Sequence, residues 1–144
     1  MKNPEIPPAS TAAAEPLTVL LVDDDEAARY LGQRLMRPYA SQVQLLLATN
    51  GQEALQVLHQ LQLQPTGKVV VLLDLNMPVM DGFEFLEEYQ HWSPEQQRAI
   101  RIIVVSSSEL PADRQRAQAF GAEFRHKPLT SASITELLQE SGTI

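Results

Sequence analysis

The stretch Val69-Val70-Val71-Leu72-Leu73-Asp74-Leu75-Asn76-Met77-Pro78-Val79-Met80-Asp81-Gly82 decides the fold. It opens with an apolar run, Val69–Asp74 (VVVLLD), that shows no alternation and is rich in β-branched residues. A strand written this way is buried on both faces, which requires a parallel sheet covered by helices on each side. The run stops on an acid, and Asp81-Gly82 then opens a helix carrying Phe85, Leu86 and Tyr89.

Outward from this stretch the same alternation repeats. Leu17–Asp23 (LTVLLVD) reads as a strand ending in acid. Glu26–Arg37 reads as a helix with Ala28, Leu31, Leu35 and Met36 on one face, stopped before Pro38. Val43–Ala48 is a second strand and Gly51–Leu63 a second helix, with Ala54, Leu55, Leu58 and Leu61 in register. Ser93-Pro94-Glu95-Gln96 has the form of a capping box and predicts one extra helical turn. Ile100–Val105 is the fourth strand and runs into Ser106-Ser107-Ser108. A fourth helix, Ala112–Phe120, is closed by Gly121. Glu123–Lys127 is a short fifth strand, and Ser131–Glu140 a last helix with Ile134, Leu137 and Leu138. Five strand–helix units predict an α/β fold, a flavodoxin-like (βα)5 doubly wound parallel sheet of strand order 2-1-3-4-5.

Composition sets the bounds. At 144 residues, 44% apolar and 20% charged, the chain has the size and core of one domain. Eleven Lys and Arg against eighteen Asp and Glu leave a formal net charge of −7, with no basic cluster, so direct nucleic-acid binding is disfavoured. There is no Cys, which excludes disulfides, thiol catalysis and Cys-ligated metal. The longest aliphatic run, Val69–Leu73, is too short for membrane insertion, and no secretory leader is visible, so a cytoplasmic protein is expected. Residues 1–16, with four prolines and four alanines, read as a flexible arm, and residues 17–142 as the folded domain.

In an open parallel sheet, ligands bind where the strands end in their carboxyl direction. Here those ends carry Asp23-Asp24-Asp25, Asp74, Ser106 and Lys127-Pro128, on strands one, three, four and five. Two carboxylates about 5 Å apart repel by roughly 0.8 kcal/mol in water and several times that at an effective dielectric near 20. Acids from two strands at one site therefore call for a cation or for protonation. A hard divalent ion answers this, and Mg²⁺ suits a wet site that also accepts phosphate, with Mn²⁺ as a substitute. Taken singly, each group has an ordinary structural explanation. Asp25 suits a helix N-cap, Asp74 a turn, Ser106 a loop hydrogen bond and Lys127 a solvated charge. Their coincidence at one sheet edge points to a site.

At these residues the sequence resembles the receiver domain of two-component response regulators, from about Leu17 to Gly142. The motifs are LLVDDDEAAR (20–29), LLDLNMPVMDG (72–82), VVSSS (104–108) and HKPL (126–129). The resemblance implies that Asp74 is the phosphoacceptor, attacking the phosphorus of a phosphohistidine on a histidine kinase. It implies that Asp23 and Asp24 hold Mg²⁺ together with Asp74 and the backbone carbonyl of Asn76, Asp24 directly and Asp23 largely through water. Lys127 would pair with a phosphoryl oxygen, Ser106 would be the switch hydroxyl and Phe124 the aromatic switch residue. Pro128 fits a Lys-Pro peptide that is often cis, and Asp81 and Gly82 look structural. Asn76 and Ser108 fall where side chains influence acyl-phosphate hydrolysis. On this reading the protein is a signalling receiver that catalyses its own phosphorylation and slow autodephosphorylation, not a turnover enzyme. Its fourth helix, fifth strand and fifth helix would signal to a downstream protein target, or the phosphoryl group would pass to a histidine phosphotransfer domain. The same surface is a candidate homodimer contact.

The last helix ends four residues before the end of the sequence, so a stand-alone receiver is expected. Two rivals remain. A haloacid-dehalogenase-like phosphohydrolase also uses a strand-end aspartate, but it wants a second one two residues on, where Asn76 stands. A degenerate receiver would serve as an unphosphorylated interaction module. His59, His91 and His126 lack metal spacing and read as surface or packing residues, and Trp92 as packing for the capped turn.

Overall fold

The computed structural model describes residues 16–61 and 68–144. The strands are β1 (Leu17–Val22), β2 (Val43–Ala48), β3 (Val69–Leu73), β4 (Ile100–Ser106) and β5 (Glu123–His126). All pair in parallel, in the order β2-β1-β3-β4-β5. The connecting helices are α1 (Glu26–Met36), α2 (Gly51–Gln60), α3 (Gly82–Tyr89), α4 (Pro111–Ala119) and α5 (Ser131–Glu140). A one-turn helix, Pro94–Arg98, lies between α3 and β4, capped by Ser93 and Gln96. The amino-terminal arm up to residue 15, and residues 62–63 expected at the end of the second helix, lie outside the described residues.

Strand side chains alternate between two helical layers. Leu20, Val22, Val71, Leu73, Ile102 and Val104 pack with Ala54 and Leu58 of α2, Phe85 and Leu86 of α3, and Ala117 of α4. Their sequence neighbours Val19, Leu21, Val70, Leu72, Ile103 and Val105 pack with Met36 of α1 and Ile134, Leu137 and Leu138 of α5. Both faces are buried, which is why the central strands are apolar at every position.

Element ends differ from the sequence reading by one to three residues: α2 ends at Gln60 and not Leu63, α4 is Pro111–Ala119 and not Ala112–Phe120, β4 runs on to Ser106 and β5 stops at His126. The first helix stops at Met36, and Arg37–Tyr39 tightens into a 3₁₀ turn around Pro38, which has no N–H for an α-helical bond. Leu31 is 38% exposed, so it is not part of the buried stripe. Gly32 takes the inner position, where any Cβ would run into the Leu21 side chain.

Candidate functional site

Register brings the acids together. Val22 pairs with Leu73, so the next residues, Asp23 and Asp74, leave the sheet side by side. Ser106 pairs with His126, and the backbone N–H of the following residue, Lys127, donates to the Ser106 carbonyl at 2.9 Å. The Lys127 side chain reaches back across the sheet edge. Its Nζ stands 2.8 Å from Asp23 Oδ2 and 3.4 Å from Asp74 Oδ1. One carboxylate oxygen each from Asp23, Asp24 and Asp74 lie within 4.8 Å of one another.

The members are held differently. Asp23 is 3% exposed, and its second oxygen accepts the Asp25 N–H at 2.9 Å. Asp24 is exposed, while Asp25 caps α1 by accepting from Ala27 N–H. Asp74 is 8% exposed and accepts the Leu75 N–H at 2.9 Å. Burial pushes the Asp74 carboxyl above its usual range, the Asp23 charge adds to this, and Lys127 opposes both. Burial pulls the Lys127 ammonium down, but the hydrogen bond to Asp23 and the charges of Asp74 and Asp23 outweigh it, so the ammonium is held above its ordinary value. Asp74 thus sits among groups that favour a cation nearby. An all-oxygen acidic cluster with one exposed member fits a hard divalent ion.

The loop after Asp74 is fixed by close packing. Gly82 N–H donates to the Leu75 carbonyl at 2.9 Å, and a Cβ on Gly82 would stand 2.5 Å from the Asp74 carbonyl oxygen. Glycine is therefore required for α3 to start against the phosphoacceptor candidate. Asp81 and Glu84 form a complete capping box on that helix. Between them and the strand, exposed Asn76 lies in the loop, and Val79 adopts φ +70°, a left-handed conformation that a β-branched residue rarely takes. The Lys127-Pro128 peptide is cis. A cavity of about 210 Å³ opens beside the cluster, with Asp23, Asp74 and Lys127 on one wall and Leu21, Leu31 and Leu129 among its apolar lining.

The other predicted residues lie on the β4–β5 side. Ser106 is 1% exposed, its hydroxyl accepts the Ser108 N–H at 3.0 Å, and among the described residues that hydroxyl has no acceptor. Ser108 is not a free polar group. Its hydroxyl donates to Asp113 at 2.6 Å and accepts from Leu110 N–H at 3.2 Å, supplying the start of α4 with the cap that Leu110 cannot. Phe124 is 6% exposed and lies beneath the Arg114 guanidinium, 4.8 Å from ring centroid to Cζ. Trp92 packs between Tyr89 and His59, as the capped turn suggested.

Sequence reading missed one residue. Arg29, the last residue of the LLVDDDEAAR motif, donates from Nη1 to the Asp23 carbonyl at 2.8 Å and ties α1 to the acidic loop. Its spacing of six residues from Asp23 offered the only hint.

Comparison with known proteins agrees with this architecture. The family model for the response regulator receiver domain matches residues 19–139. The sensor histidine kinase CheAY of Helicobacter pylori is 30% identical over 124 residues, covering 85% of this chain and 15% of that much longer protein. The solved chemotaxis protein CheY4 of Vibrio cholerae is 26% identical, with a TM-score of 0.69 and coverage of 87% and 98% of the two chains. The CheX–CheY complex of Borrelia burgdorferi, solved with beryllofluoride and Mg²⁺, shares the fold with a TM-score of 0.73 at 23% identity, covering 92% of this chain and 93% of that one. No helix among the described residues is long and apolar enough to cross a membrane.

Proposed function

From the premise that the chain belongs to the response regulator receiver domain family, a signalling module of two-component systems and not a classical enzyme, we propose that it accepts a phosphoryl group on Asp74 from a histidine kinase or a histidine phosphotransfer domain. One observation carries this reading: Lys127 Nζ bridges Asp23 and Asp74, at 2.8 and 3.4 Å, beside the exposed carboxylate of Asp24. The working unit in this reading is the receiver domain of residues 17–142.

An Asp74 carboxylate oxygen attacks the phosphorus of the phosphohistidine. The P–O bond forms as the P–N bond breaks, and the electron pair returns to the imidazole nitrogen. Lys127 is already beside the acceptor carboxylate and is positioned to pair with an incoming phosphoryl oxygen. Arg29 and the Asp25 N–H fix the Asp23 segment so that the acids do not splay apart. Asp23, Asp24, Asp74 and the Asn76 carbonyl would hold Mg²⁺, or Mn²⁺ in its place, which when bound neutralises charge on the acids and on the phosphoryl oxygens. Ser106 at the end of β4 and Phe124 on the neighbouring strand β5, two residues from the Ser106 partner His126, form the route by which the phosphoryl group shifts the α4–β5–α5 surface toward a downstream partner. A homodimer through that surface is an alternative output.

The test is intact-mass measurement after incubation with acetyl phosphate and Mg²⁺. Wild type gains one phosphoryl group, while Asp74→Asn and a chelator-treated control gain none. Equal labelling of wild type and Asp74→Asn overturns the assignment.

A further inference from the structure

One side of β5 carries a cluster that the phosphoacceptor chemistry does not use. Arg114 of α4 lays its guanidinium over the Phe124 ring, and its Nη2 lies 3.1 Å from His126 Nε2. The His126 ring meets the Phe124 ring edge-on, with centroids 5.5 Å apart. Arginine has donors only, so this contact needs an unprotonated Nε2 as acceptor, with the imidazole hydrogen on Nδ1. Protonation removes the acceptor and sets two positive charges against each other at that distance.

α4 has little else to hold it to β5. Ala117 is its only buried residue, and its N-cap, Leu110, has no side-chain cap and is 64% exposed. The charged groups that share the groove with His126 are Arg114 from α4 and Glu109 from the loop before it. Lys127 follows in the chain, but its ammonium is turned toward Asp23 and Asp74. On the β4 side the paired residue is the uncharged Ser106. Within this set, Arg114 is the charge in direct contact with the imidazole.

We propose that Arg114, Phe124 and His126 form a proton-sensitive latch that holds α4 on β5 when His126 is neutral and releases it when His126 is protonated. The latch places a second input on the surface assigned above to phosphorylation, and it rests on that reading only for its signalling consequence. Release lifts the guanidinium from Phe124 and frees the ring to move.

The test is an NMR pH titration from 8 to 5 of the unphosphorylated protein, following Phe124 ring and His126 imidazole resonances together. In wild type both move with one midpoint, and below it the α4 amides exchange roughly two- to fivefold faster, the loss of one cation–π contact. His126→Gln keeps an acceptor for Arg114 but cannot titrate, so its Phe124 signals stay at their high-pH positions throughout. Arg114→Met keeps packing over the ring and removes the charge, so Phe124 no longer follows His126. Phe124 signals that stay still while wild-type His126 titrates overturn the latch, as does an unchanged pH response in His126→Gln. Repeating the titration in Asp74→Asn separates the two readings, because the latch behaves there as in wild type even if Asp74 is not the acceptor.

Discussion

The two helices that flank β5 are built on opposite terms. α5 buries Ile134, Leu137 and Leu138 to 4% exposure or less and begins with a complete capping box from Thr130 and Ser133. Beside it, Arg101 of β4 reaches Glu123 through two hydrogen bonds, at 2.5 and 2.7 Å, and Glu140 of α5 at 2.6 Å. α4 buries only Ala117 and is otherwise held by the Ser108–Asp113 hydrogen bond at its start and by arginines over aromatic rings, Arg114 on Phe124 and Arg116 on Phe83. Apolar burial is short-ranged and steeply lost on displacement, whereas a cation over a ring tolerates sliding. One helix is therefore a fixed wall and the other a cover that can shift.

The sharpest way to break this contrast is to hollow out the wall. Leu138→Ala, at a fully buried position, is expected to cost about 2–5 kcal/mol. Ala117→Gly, the most disruptive small change available inside α4, costs about 1–2 kcal/mol through helix propensity and one methyl. Urea denaturation of both variants measures the ratio, and equal losses would show that α4 is anchored as firmly as α5.

Next comes the ion-pair network on the α5 side. The hydrogen bond from Arg101 holds the Glu123 carboxyl below its usual range, against the opposing pull of burial. A lowered carboxyl contributes stability that is present above its unfolded value and lost as pH falls through the folded one. Arg101→Met should therefore destabilise by about 1 kcal/mol at pH 7, discounted for partial exposure. The difference from wild type shrinks to nothing as pH falls below the carboxylate range. Thermal melts at pH 7 and pH 3 check this, and a constant difference would mean that packing, not charge, is what Arg101 supplies.

How much of this could be read from sequence follows the same division. The α5 wall was legible because Ile134, Leu137 and Leu138 repeat at helical spacing on a segment whose ends match the structure, Ser131–Glu140. Asp23 and Asp74 were legible because each follows an apolar strand, Lys127 because it follows the short fifth strand, and strand order then dictates that they meet. The cover was not. Arg114 over Phe124 depends on which face α4 presents, and α4 has no apolar stripe to fix that face in the sequence. The Ser108 contact was hidden for a related reason, since its hydrogen bond to Asp113 depends on how the loop turns. Arg29 escaped notice because its acceptor is a backbone carbonyl, which every residue possesses.

The smallest effect sharpens the picture of the cover itself. Arg116 lies over Phe83 at 4.1 Å and approaches Glu87 at 3.7 Å, with both charged side chains more than half exposed. An exposed pair of this kind contributes little, so Arg116→Gln should cost no more than about 0.5 kcal/mol in global stability. Its effect should instead be local. Amide exchange in α4 should quicken relative to α5 while the urea midpoint barely moves, because the contact restrains a helix that opens below the energy of global unfolding. A variant that lowered the midpoint without changing α4 exchange would place Arg116 in the folded core's cooperative unit, and would make α4 part of the wall.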